Sequence, residues 1–180
     1  IAHGAFFRMA TAFADPFAVI PLFFAGFTDS RTLIGLVVSL MEAMIIVPQL
    51  AISRRLRRKP HEAKPIMLVG IWTRCGVWGL IAVITLAAPP ESLWIPVLFT
   101  LLVAVYSLGA GAAVIPFKYV IAGTVSEGKR GSFFGWRMLL GGVLAVLAGM
   151  GVKEILGSQT LPWPRNYGIL FLLSFISLIV

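Results

Sequence analysis

One cysteine, Cys75, and two histidines, His3 and His61, are all that 180 residues offer to thiol and imidazole chemistry. A lone thiol supports neither a disulfide framework nor a thiol pair for metal or redox work. Cys75 sits inside an apolar run and reads as a packing residue. His61-Glu62 lacks a second histidine four residues after the first, and His3 stands alone, so the usual zinc spacings are missing. Gly109-x-Gly111 has Val114 where a dinucleotide loop needs its third glycine. Ser107 precedes Gly109 by two residues, but Val105 stands where a nucleophile elbow needs glycine. These absences remove the metal, cofactor and nucleophile signatures, and the chain is expected to be no enzyme.

Charge is equally scarce, at 12% of residues, while 59% are hydrophobic and mean hydropathy is +0.96. That composition lies outside the range of soluble domains of this length and makes lipid the expected solvent. A bilayer core needs about 20 largely apolar helical residues. Runs of that kind recur at 1–27, 32–52, 66–88, 93–117 and 133–156, and a further one begins at 167 and continues to 180. The breaks carry turn chemistry: Thr28 to Arg31, the basic stretch Ser53 to Pro65, Pro89-Pro90-Glu91-Ser92, Lys118 to Ser132, and Gly157 to Asn166. A signal peptide does not account for the first run, which is too long, contains Arg8 and Asp15, and is followed by more apolar runs. Continuous runs without period-two alternation exclude a membrane barrel. The fold expected is an all-α polytopic transmembrane helix bundle.

The net charge of +8 is distributed by topology. Arg54, Arg55, Arg57, Arg58, Lys59 and Lys64 fall in the loop after the second run, and Lys118, Lys129 and Arg130 in the loop after the fourth. The turns after the first and third runs hold only Arg31. This alternation follows the positive-inside pattern and predicts a cytoplasmic amino terminus, with headgroup contact rather than nucleic-acid binding for the basic loops.

Five ionisable residues fall at membrane depth: Arg8, Asp15, Glu42, Arg74 and Arg137. Each is costly in lipid and persists when it is paired or lines a cavity. Gly4, Arg8, Thr11 and Asp15 are spaced by four, three and four, which places them on one helical stripe. Gly35, Ser39, Glu42 and Gln49 form a second stripe, and both stripes are expected to face protein or water. Asp15 and Glu42 lie near the midplane, where desolvation and neighbouring cations set a carboxylate up for reversible protonation, Asp15 being the better proton-coupling candidate. Buried pairing with Arg8 or Arg74 that fixes helix register is the equal alternative, and a Glu42–Arg74 pair is expected to be within reach. Arg137 is expected to snorkel. Gly135, Gly142 and Gly149 recur every seven residues, and Gly141, Ala145 and Gly149 form a small-xxx-small series, so one face of the fifth run should admit a close helix. Pro16, Pro21, Pro48 and Pro116 free backbone carbonyls inside or at the end of runs.

Six runs, a basic loop after the second, and the segment Ser126-Glu127-Gly128-Lys129-Arg130-Gly131-Ser132-Phe133-Phe134-Gly135-Trp136-Arg137 ahead of Gly141, Gly142, Gly149 and Gly151 resemble the amino-terminal half of a major facilitator superfamily transporter. Arg54, Arg55, Arg57, Arg58 and Lys59 resemble the basic tail of the family's loop after the second span, without its glycine and aspartate. The Gly-Pro element of the family's drug–proton antiporters is missing from the fifth run.

The resemblance implies a six-helix half with its sixth helix truncated, a missing carboxy-terminal six-helix half, and alternating access around a small solute held near the midplane, with H+ as a possible coupling ion. It nominates Arg8, Thr11, Asp15, Tyr106 and Ser107 as cavity residues, beside Glu42 and Arg74 from the charge reading, and Arg54, Arg55, Arg57, Arg58, Arg130, Gly131 and Arg137 for the cytoplasmic gate. The location implied is the bacterial inner membrane. A membrane-embedded accessory subunit that transports nothing is the alternative function. Because the chain opens within an apolar run and closes within another, a fragment of a longer protein is expected.

Overall fold

A computed structural model describes residues 2–87, 89, 92 and 94–180. Ile1, Ala88, Pro90, Glu91 and Leu93, which belong to the expected first, third and fourth runs and to the turn at 89–92, lie outside the described residues. The described residues form helices α1 (Ala2–Phe13), α2 (Val19–Ala25), α3 (Arg31–Arg58), α4 (Ala63–Ala87), α5 (Ile95–Thr124), α6 (Glu127–Gly157) and α7 (Arg165–Ile179), with a 3₁₀ turn at Pro60–Glu62 before α4 and no strand among them. Four of these rods, α3, α4 with its leading turn, α5 and α6, are long and apolar enough to cross a membrane; α7 is apolar but shorter. The chain is therefore all-helical and compatible with an integral membrane protein.

The first apolar run is not one helix. Pro16 has no N–H and disfavours helical backbone at Asp15, so α1 stops at Phe13. The Asp15 carboxylate then accepts from the backbone N–H groups of Phe17 at 2.8 Å and Ala18 at 2.9 Å, satisfying donors that lie ahead of α2. Pro21 falls in the first turn of α2, where its missing N–H costs no helical bond. Ser30 caps α3 by accepting from the Leu33 N–H.

Contacts between named residues fix the directions of the rods. Gly4 lies against Arg137, Arg8 against Gly141 and Phe13 against Gly151, so α1 and α6 run parallel. Gly70 meets Ala113, Thr73 meets Gly109 and Trp78 meets Phe99, so α4 and α5 run antiparallel. Cys75 donates to the Leu178 carbonyl, Gly79 faces Phe175 and Gly168 faces Leu86, which makes α4 and α7 antiparallel as well. The Ser174 hydroxyl donates to the Ala10 carbonyl at 3.0 Å, while Phe171 and Tyr167 reach Phe23, so α7 opposes α1 and α2.

The packing repeats itself. Helix α1 packs on α6 as α5 packs on α3; α1 packs on α7 as α5 packs on α4; and α4 packs on α7, joining the last member of each set. The first set, α1 to α4, and the second, α5 to α7, thus make matching partnerships while their first members point in opposite directions.

The core is aromatic at one end. Phe23, Trp78, Phe99 and Phe171 are buried, and Phe171 stands 5.3–5.4 Å from the other three by ring centroid. Trp163 closes this end against Gly26 and the Phe27 ring. The opposite end holds the basic turn between α3 and α4, and it is there that the arginines gather.

Candidate functional site

Three arginines from α1, α4 and α6 converge in the half of the bundle nearer the basic turn. Arg137 is seated over Gly4, and Arg8 lays its stem on Gly141, with its Cγ 2.8 Å from where a Cβ there would stand. Gly4 to Arg8 and Arg137 to Gly141 are each one helical turn, so each helix offers a glycine seat to the other's cation. Arg74, only 8% exposed, places its guanidinium 4.7 Å from the centroid of the Phe7 ring, and Arg137 does the same over Phe117 at 4.8 Å. Such cation–π contacts recover part of the solvation that burial removes.

Arg137 lies within electrostatic range of both Arg8 and Arg74, and His3 within range of Arg74 and Arg137. The ion pairs among the described residues are Arg55–Glu62, Lys59–Glu62 and Arg130–Glu127, and none of them involves this cluster. The Nε of Arg74 is buried without a hydrogen-bond partner. Tyr106 lies within electrostatic range of Arg74 and packs edge-on against Trp78 at 5.3 Å. A cleft of about 240 Å³ lined by His3, Ile71, Trp72, Cys75 and Leu178 opens on the flank of the cluster.

The remaining nominated residues are elsewhere. Thr11 donates its hydroxyl to the Phe7 carbonyl, and Asp15 accepts from the Phe17 and Ala18 N–H groups at the break between α1 and α2. Glu42 is exposed on α3, away from the buried Arg74, so the expected Glu42–Arg74 pair is not formed. The whole stripe Gly35, Ser39 and Glu42 faces out of this bundle, and Gln49 turns its amide to the Ile45 carbonyl at 3.0 Å. Ser107 is fully buried without a hydrogen-bond partner, and it lies one turn before Gly111, which meets the Ile45 carbonyl and the Pro48 ring. It therefore shares the α3-facing side of α5, whereas Tyr106 faces α4.

At the basic end, Arg54, Arg55, Arg57 and Arg58 are exposed around the buried Leu56. The Arg55 guanidinium donates to Glu62 and holds its carboxyl below the usual carboxylate range, with Lys59 at 3.5 Å adding to the effect. Arg130 donates to the carbonyls of Val125 at 2.9 Å and Ala122 at 2.7 Å, closing the last turn of α5, while Gly131 lies open on α6.

Sequence reasoning missed His3, Phe7 and Phe117 as members of the cluster. The signal available was the mirrored spacing, glycine then arginine in α1 and arginine then glycine in α6. It was visible in the letters, but only the parallel packing of α1 on α6 gives it meaning. No family model, curated protein or solved structure matches this chain.

Proposed function

We propose that the chain forms one half of a secondary active transporter of the major facilitator type, which moves a small solute across a membrane by alternating access with proton coupling. The observation that carries this reading is the repeated packing of α1–α4 and α5–α7 in opposite directions. Inverted repeats of this kind are how many transporters build two interchangeable halves around a central site. Two further features support it. The first apolar run is broken at Asp15-Pro16, and irregular backbone at membrane depth is tolerated where protein or water surrounds it. The exposed polar stripe of α3, with Glu42 at its centre, requires water or a second bundle rather than lipid. The alternation of basic loops favours a cytoplasmic amino terminus in a bacterial inner membrane.

Asp15→Asn in the natural protein, reconstituted with a pH-sensitive dye inside the vesicle, tests the coupling. An asparagine carbonyl can still accept from Phe17 and Ala18, so the fold should persist while solute-driven pH change is lost. Unchanged proton flux would remove Asp15 from the coupling step.

A second reading, a non-transporting assembly subunit, is favoured by Gly135, Gly142 and Gly149. These glycines lie along α6 with nothing within 4 Å of a built Cβ, as a surface for close helix approach would. Wild-type vesicles that carry no phosphate, carboxylate, sugar or amine across the membrane would decide for it.

A further inference from the structure

Three guanidinium groups lie close together here, Arg74 buried, Arg137 half-buried and within electrostatic range of both others, and Arg8 exposed, and among the described residues no ion pair supplies them a negative charge. Asp15 spends its Oδ1 on two backbone N–H groups and lies seven residues beyond Arg8, roughly 10 Å along a helix. Glu42 is exposed on α3, which packs on α2 and α5 rather than on the cluster. The two aromatic rings beneath Arg74 and Arg137 ease burial but leave the net charge untouched. Nothing hydrogen-bonds the Arg74 Nε, although the residue is only 8% exposed. A guanidinium presents its N–H donors as a planar fork whose spacing matches the two oxygens of a carboxylate or phosphate. The glycine seats at Gly4 and Gly141 take the side chains of Arg137 and Arg8 from opposite helices, so packing positions both, with Arg137 half-buried and Arg8 open to solvent.

We infer that Arg8, Arg74 and Arg137 form a binding site for an oxyanion, a carboxylate or phosphate group, held between α1, α4 and α6. Resting on the transporter reading, this makes the carried solute an anion. The same chemistry would accept the phosphate of a lipid headgroup, and the two sources are separable.

The experiment is a thermal-unfolding titration of the natural full-length protein in nanodiscs of phosphatidylcholine and, in parallel, of phosphatidylglycerol. Inorganic phosphate and succinate are the probes, with sorbitol and choline chloride as controls. A saturable rise in midpoint with phosphate or succinate in phosphatidylcholine, absent with the controls, is expected. In Arg74→Gln the half-effect concentration should rise by about tenfold or more, the loss expected for one charge-assisted hydrogen bond. Arg74→Lys, which keeps the charge without the fork, should fall between. Arg137→Gln repeats the test should Arg74→Gln fail to fold. Stabilisation by phosphatidylglycerol alone, lost in Arg74→Gln, would place a headgroup in the site and overturn the solute. No response to any anion, or a response unchanged in both glutamine variants, would overturn the site itself. Binding that Arg74→Gln abolishes in a protein that transports nothing would leave the site and remove the transporter. Uptake of a neutral solute untouched by Arg74→Gln would do the reverse.

Discussion

The two ends of the bundle share helix α4 and are built by opposite physics. At the end away from the basic turn, α2, α4, α5 and α7 contribute Phe23, Trp78, Phe99, Tyr167 and Phe171 to one interlocked set of rings, all of them buried. At the other end, α1, α4 and α6 contribute Arg8, Arg74 and Arg137; Arg137 is repelled by the other two, Arg8 and Arg137 sit on glycines, and Arg74 lies over the Phe7 ring. Rings that fill space stabilise a bundle through dispersion, which operates in lipid as it does in water. Like charges placed together do the reverse, and a protein keeps such a conflict where a site requires it. Helix α4 carries both kinds, with Trp78 one turn beyond Arg74, so the change from packing to function occurs within a single helix.

The largest expected effect separates these ends. Phe171→Ala removes a fully buried ring that contacts four others and should lower stability by about 3–5 kcal/mol, read as a fall in thermal midpoint in phosphatidylcholine nanodiscs. Arg74→Gln relieves repulsion without opening a cavity of that size, and its midpoint without added anion should stay level or rise. A midpoint that falls equally in both would mean that the arginines hold the bundle together and would erase the contrast.

A smaller effect concerns how glycine is used. A Cβ at Gly111 would run into the Ile45 backbone carbonyl, which α3 cannot move without shifting as a whole. Gly111→Ala should therefore cost about 1–3 kcal/mol by overpacking the α3–α5 contact. Gly142→Ala meets nothing within 4 Å and should be neutral or slightly stabilising through helix propensity. Should Gly142→Ala instead lose function at unchanged midpoint in the natural protein, the open glycine face of α6 would be a working interface.

Much of this architecture was legible before the coordinates. Apolar runs broken by Pro, Gly and charged residues mark the middles of α3 to α7, because lipid permits few other structures, but not their ends: much of the expected loops is helical, with 53–58 continuing α3, 118–124 continuing α5 and 127–132 opening α6. The division of the first run into α1 and α2 is signalled by Pro16, but 1–27 reads as one run in which that proline only frees a backbone carbonyl. A proline shows that a helix bond is lost; it does not show where the helix resumes, which is after a turn in which the Asp15 carboxylate accepts from Phe17 and Ala18. The site was half legible. Helical spacing placed Gly4 and Arg8 on one stripe and marked Gly141 as a packing residue. It also put Glu42 near the depth of Arg74, and there it failed: depth along an axis says nothing of which helix is the neighbour, and α3 packs on α5 with Glu42 turned outward. Which helices adjoin is fixed by contacts far apart in sequence, and no periodicity encodes them.

The smallest effect lies at the basic turn, where ion pairing is local and solvated. Glu62 accepts from Arg55 and sits 3.5 Å from Lys59, and its carboxyl is held below the usual range by the Arg55 hydrogen bond first and the nearby positive charges after it. A carboxyl whose value is lowered in the folded protein contributes stability that is complete above the ordinary carboxylate pKa, about 4.3, and is lost as pH falls through the lowered value. The pair joins the end of α3 to the turn before α4, where the Lys59 N–H donates to the Arg55 carbonyl and the Glu62 N–H to the Lys59 carbonyl. Hydrogen exchange at these two amides, corrected for intrinsic rates, should be slower at pH 7 than at pH 3 in the wild type and similar at both in Glu62→Gln. Because Arg55 is largely exposed, solvent screens the pair and the change should be confined to this turn, leaving the global midpoint unmoved. Protection that is flat with pH in both proteins would show that the turn is held by Leu56 packing alone; a global shift would mean that the basic end is coupled to the aromatic one after all.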